Sequence, residues 1–118
     1  MTWIKDTYQQ IKGETDLNFE GCCTGKYIQH GGIAGRTEST GLGVYYCIRE
    51  LLAKDSFIDA VKDTSKGIKD KTFCVQGLGN VGYWVSKFLV QDGGFVETII
   101  ERDAAIYKKG GFDIEDVK

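Results

Sequence analysis
The run Gly77-Leu78-Gly79-Asn80-Val81-Gly82 has the spacing G-x-G-x-x-G, and the chemistry open to it is to hold a pyrophosphate. Glycine at 77 permits a tight turn, glycine at 79 lets backbone approach the anion, and glycine at 82 lets a helix pack closely on the preceding strand. The first N–H groups of a helix have no intrahelical partner and attract negative charge, which brings Asn80 and Val81 into the same candidate site. Glu101 lies nineteen residues beyond Gly82, near the spacing at which an acid accepts hydrogen bonds from ribose hydroxyls. That acid favours NAD over NADP. Arg102 pulls the other way, since a guanidinium can hold a 2′-phosphate, so use of either cofactor stays open. The bland alternative is that the three glycines serve packing alone.

Such a turn must be held between a strand and a helix, and its flanks supply both. Thr72 to Gln76 is short and largely apolar, as buried parallel strands are. A helix from about Asn80 to Gln91 turns Val81, Val85, Phe88 and Leu89 inward, and Gly93-Gly94 breaks it before a second strand, Phe95 to Ile100. The unit is β-α-β. Beyond Glu101 the chain reads as a turn-rich passage through Ala104, Ala105 and Lys108-Lys109-Gly110-Gly111, with Asp113 as N-cap of a final helix. Two parallel strands are therefore expected. Their open edge and apolar faces predict that other protein chains, or further sequence, complete the layer.

Upstream, Trp3, Ile4, Tyr8 and Ile11 fall near helical spacing and predict an amphipathic helix ending at Gly13. The glycines of Gly21-Cys22-Cys23-Thr24-Gly25-Lys26 and His30-Gly31-Gly32 predict loop or closely approaching backbone. A second helix is expected from Thr37, with Val44, Cys47, Ile48, Leu51 and Leu52 on its packed face. Gly41 and Gly43 in one of its turns suggest a close neighbour, and Ser56 to Asp63 forms a short further helix.

Composition narrows the classes. With 118 residues, 42% of them hydrophobic, the chain holds one domain at most. Fifteen Lys and Arg against 17 Asp and Glu provide no positive field for nucleic acid or an anionic membrane. No apolar run is long enough to insert in a bilayer. Cys22, Cys23, Cys47 and Cys74 lack Cys-x-x-Cys spacing and, with the single His30, make a poor zinc set, so buried or reduced thiols are expected and no metal site is assigned.

Taken together, Met1 to Tyr8, Thr24-Gly25-Lys26, Gly31 to Val44 and Lys71 to Gly82 resemble the glutamate dehydrogenase family, with its leucine, phenylalanine and valine relatives, over nearly the whole chain. The most specific element is Gly31 to Val44. The resemblance implies the start of a coenzyme-binding domain: α/β, a partial Rossmann-like NAD(P)-binding unit with helices before its β-α-β core and a truncated sheet. Residues 1–36 would be a hinge or substrate-side segment and 37–118 the Rossmann-like core. It implies that Arg36 lies at the substrate pocket and that Thr40 contacts the cofactor near its nicotinamide. A guanidinium can hold a dicarboxylate and a hydroxyl can bond an amide or ribose. Without the resemblance, Arg36 reads as a surface residue before a helix and Thr40 as a polar first-turn residue.

The family's glycine-rich substrate loop, catalytic lysine and catalytic aspartate match nothing here, lying upstream of the position equivalent to Met1. Lys26 is not that lysine, and Tyr27 stands where the family commonly has proline. The function implied is an NAD(P)-binding segment of an enzyme that oxidatively deaminates glutamate to 2-oxoglutarate, inactive alone. The alternative is a noncatalytic structural or accessory subunit of a larger assembly. Either reading expects a homo-oligomer or hetero-complex, in the mitochondrial matrix or otherwise the cytoplasm.

Overall fold
The computed structural model describes residues 1–63 and 65–117. The chain divides into two compact units, Met1–Thr37 and Glu38–Lys118.

In the first unit, helix α1 (Thr2–Lys12) ends as expected at Gly13. Two single 3-10 turns follow, Phe19–Cys22 and Ile28–His30. Trp3 is 88% exposed, and Ile4 and Ile11 are exposed beside it. Gly31 takes the left-handed conformation (φ 86°) that closes the second turn. A Cβ on Gly32 would strike the carbonyls of Lys26 and Tyr27, so this glycine is the close approach its sequence suggested.

The second unit opens with α2 (Ser39–Leu52) and α3 (Asp55–Val61). Strand β1 (Thr72–Gln76), helix α4 (Asn80–Gln91) and strand β2 (Phe95–Ile100) follow. β1 and β2 pair in parallel, with an irregularity between Phe73 and Cys74. The expected β-α-β unit is present. The two-strand sheet is corrected: β3 (Ala105–Tyr107) pairs antiparallel with β2, giving the order β1-β2-β3. The chain reverses over four residues, the Glu101 N–H donating to the Ala104 carbonyl at 2.8 Å, and so fills the outer side of β2.

Three further expectations are corrected. On α2 the packed positions are Gly41, Tyr45, Ile48 and Leu52, while Val44, Cys47 and Leu51 are exposed. On α4, Val81 is exposed and Tyr83, Val85, Ser86 and Leu89 are buried, because α4 packs against both the sheet and α2 and needs two inner faces. Among the described residues Asp113 caps no helix: its Oδ1 accepts the Glu115 N–H at 2.9 Å within a turn.

The core has two parts. Val75, Tyr83, Val96, Ile99 and Ile114 pack between α4, the sheet and the C-terminal turn, and Ile68, Val85 and Leu89 pack beneath Tyr45, Ile48 and Leu52 of α2. Gly41 makes the second part possible. A Cβ there would stand 2.5 Å from Trp84 Cβ and 3.1 Å from the Val81 carbonyl, so only glycine lets the two helix backbones cross this closely. Gly43 faces open space.

Candidate functional site
The second unit places the glycine turn at the carboxyl ends of β1 and β2. Gly77 leaves β1 with φ 84°, a conformation open to glycine at little cost, while its N–H still donates to the Ile100 carbonyl at 2.7 Å. Gly82 lies so close to the Gly77 carbonyl oxygen that a Cβ there would overlap it, which locks the first turn of α4 onto the end of β1. A Cβ on Gly79 would meet nothing within 4 Å, so the turn is open on the side where a ligand would approach. Gly79 is also the N-cap of α4, and a glycine brings no side-chain oxygen to cover the N-terminus.

Glu101, just past β2, reaches back to this turn. Its Oε1 accepts a hydrogen bond from the Leu78 N–H. Two residues 23 apart in sequence thus meet at the end of the sheet. The carboxylate forms one wall of a cleft of about 280 Å³ lined otherwise by Leu78, Ile99, Ala104, Ile106 and Val117. A single acid among apolar side chains suits a flat base carrying a hydroxylated sugar. Ala104 and Ile106 belong to the reversal and to β3, in a stretch that the sequence presents as a turn-rich passage; its one strand signal is a short β-prone triplet before Lys108-Lys109-Gly110. Asn80 and Val81 open α4 beside the turn. Arg102 lines no part of the cleft: its side chain is 92% exposed and pairs with Asp103 at 3.2 Å. Thr40 is exposed in the first turn of α2, immediately before Gly41.

The first unit holds a second cleft, of about 500 Å³, whose lining includes Glu20, Cys23, Lys26, Gly32, Ile33 and Arg36. Lys26 shapes it from within. Its Nζ donates to the Glu20 carbonyl at 2.8 Å and to the Cys23 carbonyl, tying the loop to its own side chain. A lysine so engaged is a structural clasp. Elsewhere in this unit, the Tyr8 hydroxyl donates to Asp16 Oδ2 at 2.9 Å, and that hydrogen bond and the carboxylate's charge raise the phenol above its usual range. Tyr8 therefore stays protonated and holds the end of α1 to the following turn.

The model of the Glutamate/Leucine/Phenylalanine/Valine dehydrogenase family matches residues 31–118, the stretch that contains Arg36, the glycine turn and Glu101. The chain belongs to that family. Among similar dehydrogenases, the mitochondrial glutamate dehydrogenase of Dictyostelium discoideum is 46% identical over 117 residues, 98% of this chain and 22% of that protein. The solved glutamate dehydrogenase of Peptoniphilus asaccharolyticus superposes with a TM-score of 0.71 at 31% identity, covering 98% of this chain and 28% of the other. The hetero-hexameric glutamate dehydrogenase of Thermus thermophilus gives 0.70 at 30% identity, over 98% and 25%. This dehydrogenase-family chain thus spans about a quarter of the length of the relatives it matches.

Among the described residues no set of three or more His, Cys, Asp or Glu is gathered to hold a metal ion, and no helix is long and apolar enough to cross a membrane. The thiols are free as expected, but none is buried: Cys22, Cys47 and Cys74 are exposed and Cys23 is half-buried.

Proposed function
We propose that this chain is a partial Rossmann-like, NAD(P)-binding segment of a glutamate-type amino-acid dehydrogenase. The observation that carries this reading is the convergence of Glu101 on the Leu78 N–H at the open side of the glycine turn. In the proposed complex the pyrophosphate lies over Gly77, Gly79 and the N-terminus of α4 formed by Asn80, Val81 and Gly82, where N–H dipoles converge. Glu101 accepts from the ribose hydroxyls, and the apolar wall of the cleft takes the adenine. NAD is favoured over NADP, because Glu101 would repel a 2′-phosphate while Arg102 is turned to Asp103. Thr40 bonds near the nicotinamide, and Arg36 holds a carboxylate of the amino-acid substrate. The chemistry is oxidative deamination of glutamate to 2-oxoglutarate. Its general acid and base come from catalytic lysine and aspartate groups to which no residue here corresponds, so this chain alone does not turn over. The proposed location is the mitochondrial matrix, in keeping with the Dictyostelium relative, whose name calls it mitochondrial.

Calorimetric titration of the chain with NADH and with NADPH tests the binding. Saturable binding of NADH is expected, and Glu101→Gln should weaken it about 10- to 100-fold, the loss of hydrogen bonds to a charged acceptor. Binding of neither dinucleotide would overturn the reading. A second reading, a noncatalytic accessory subunit, is favoured by one observation: the Thermus relative is hetero-hexameric, so an assembly in this family can combine unlike chains. Identifying every chain purified with this one, and assaying glutamate-dependent NAD(P) reduction by the assembly, separates the two.

A further inference from the structure
Cys22 and Cys23 are adjacent, and their Sγ atoms lie 3.9 Å apart, the Cys22 thiol donating to that of Cys23. Neighbouring side chains on extended backbone point to opposite faces, so this proximity needs a cause. Cys22 closes the 3-10 turn Phe19–Cys22, whereas Cys23 is extended at φ −151° and ψ 151°, and the change of backbone conformation between them turns both thiols to one side. Cys23 Sγ also donates to the Met1 carbonyl at 3.3 Å, which fixes its direction.

The pair is badly placed to become a disulfide. That bond needs sulfurs about 2.05 Å apart on Cα atoms at least about 4.4 Å apart, while consecutive Cα atoms across a trans peptide are separated by only about 3.8 Å. It is well placed to bridge a single larger atom. Two thiolates on one tetrahedral centre at about 2.3 Å are themselves about 3.8 Å apart, close to the spacing already present, and a pyramidal arsenic(III) centre, with its narrower S–As–S angle, needs a somewhat shorter edge that remains far longer than a disulfide bond.

We propose that Cys22 and Cys23 form a dithiol clamp that captures soft, thiophilic centres with two exchangeable ligands, of the trivalent organoarsenical class. Both As–O bonds of the hydrated reagent break and two As–S bonds form. Each thiol proton leaves with a hydroxide as water, and arsenic stays trivalent, so no oxidant or reductant takes part. The second As–S bond forms within the molecule and gains from effective concentration. Desolvation, followed by the hydrogen bond and charge of Cys23, raises the Cys22 thiol above its ordinary range, with Lys26 pulling weakly the other way. A one-point alkylating agent, which needs thiolate, therefore gains little here, and the bidentate reagent is the one the pair selects. Cys47 and Cys74 lie apart, on α2 and β1. The clamp is independent of the nucleotide-binding proposal.

The test is intact-mass analysis of the full chain with one equivalent of phenylarsine oxide. One adduct is expected, retained against excess monothiol and released by a dithiol. Cys22→Ser and Cys23→Ser should each weaken capture about 100-fold, the loss of a linked second bond, while the Cys47→Ser/Cys74→Ser double variant keeps it. Trypsin releases residues 13–26, which contain both cysteines of the pair and no other, so the adduct can be located on the unaltered chain whatever the variants do. Absence of an adduct, its location outside that peptide, reversal by monothiol, or undiminished capture by either single variant would overturn the proposal.

Discussion
At the scale of single residues, Gly82 and Glu101 carry the strongest commitments. Because a Cβ at 82 would overlap the Gly77 carbonyl, Gly82→Ala must lift α4 from the end of β1. Overpacking of this kind costs about 1–3 kcal/mol, so thermal unfolding should show a lowered Tm together with weakened NADH binding. Tyr8 gives a prediction in pH. Its hydrogen bond with Asp16 raises the folded phenol above the ordinary value of 10.0. A group raised in the folded state adds stability that is fully present below its unfolded pKa and is lost as pH rises through the folded one. Stability should therefore fall with alkalinity from about pH 10 upward in the parent more steeply than in Tyr8→Phe. An ultraviolet difference titration should place this phenol lower in Asp16→Asn; an unmoved titration would dissociate it from the carboxylate. Both side chains are half-buried, and the effect is read as a titration shift.

At the scale of elements, the crossing of α2 and α4 makes the sharpest contrast. Gly41→Ala places a methyl 2.5 Å from Trp84 Cβ and should lower stability by about 1–3 kcal/mol. Gly43→Ala, two residues on and facing open space, should raise it by up to about 1 kcal/mol through helix propensity alone. Denaturant midpoints of the two variants moving in the same direction would contradict the crossing. The sequence already signalled a close neighbour through the two glycines, but could not say which one faced it, since that depends on the angle between two helices far apart in the chain. The same reason explains why Val44, Cys47 and Leu51 are expected on the packed face of α2 beside Ile48 and Leu52, the two that do pack there. An apolar stripe through Val44, Cys47 and Leu51 is as regular as the one through Tyr45, Ile48 and Leu52, and the tertiary partner chose between them. By contrast, β1, α4 and the glycine turn were legible almost to the residue, because glycine spacing, strand composition and helix period all agree there. β3 was missed because three residues carry too little periodicity to register. The meeting of Glu101 with Leu78 could be anticipated only as a spacing; the Lys26 clasp and the cysteine pair depend on loop geometry that composition does not encode.

At the scale of the whole molecule, the outstanding feature is an unequal pair of sheet edges. β3 is three residues long and runs into Lys108-Lys109, short and charged as protected edges are, whereas β1 is five residues with one side unpaired among the described residues. The chain should self-associate with rising concentration through β1. Cys74→Lys, a charge in the middle of that strand, should reduce the effect in sedimentation velocity while leaving the circular dichroism unchanged. Equal association by both proteins would assign the contact elsewhere. The order in which the edges fill matters as well. β2 and β3 are joined by a reversal of four residues, a local closure of the kind that takes roughly 1–10 μs, whereas β1 reaches β2 only through the whole of α4. The hairpin can close one flank of β2 before the slower β1 arrives, so a full-length chain that refolds has a preset direction of growth: new strands, native or mistaken, can add to the parallel part of this sheet only from the side of β1.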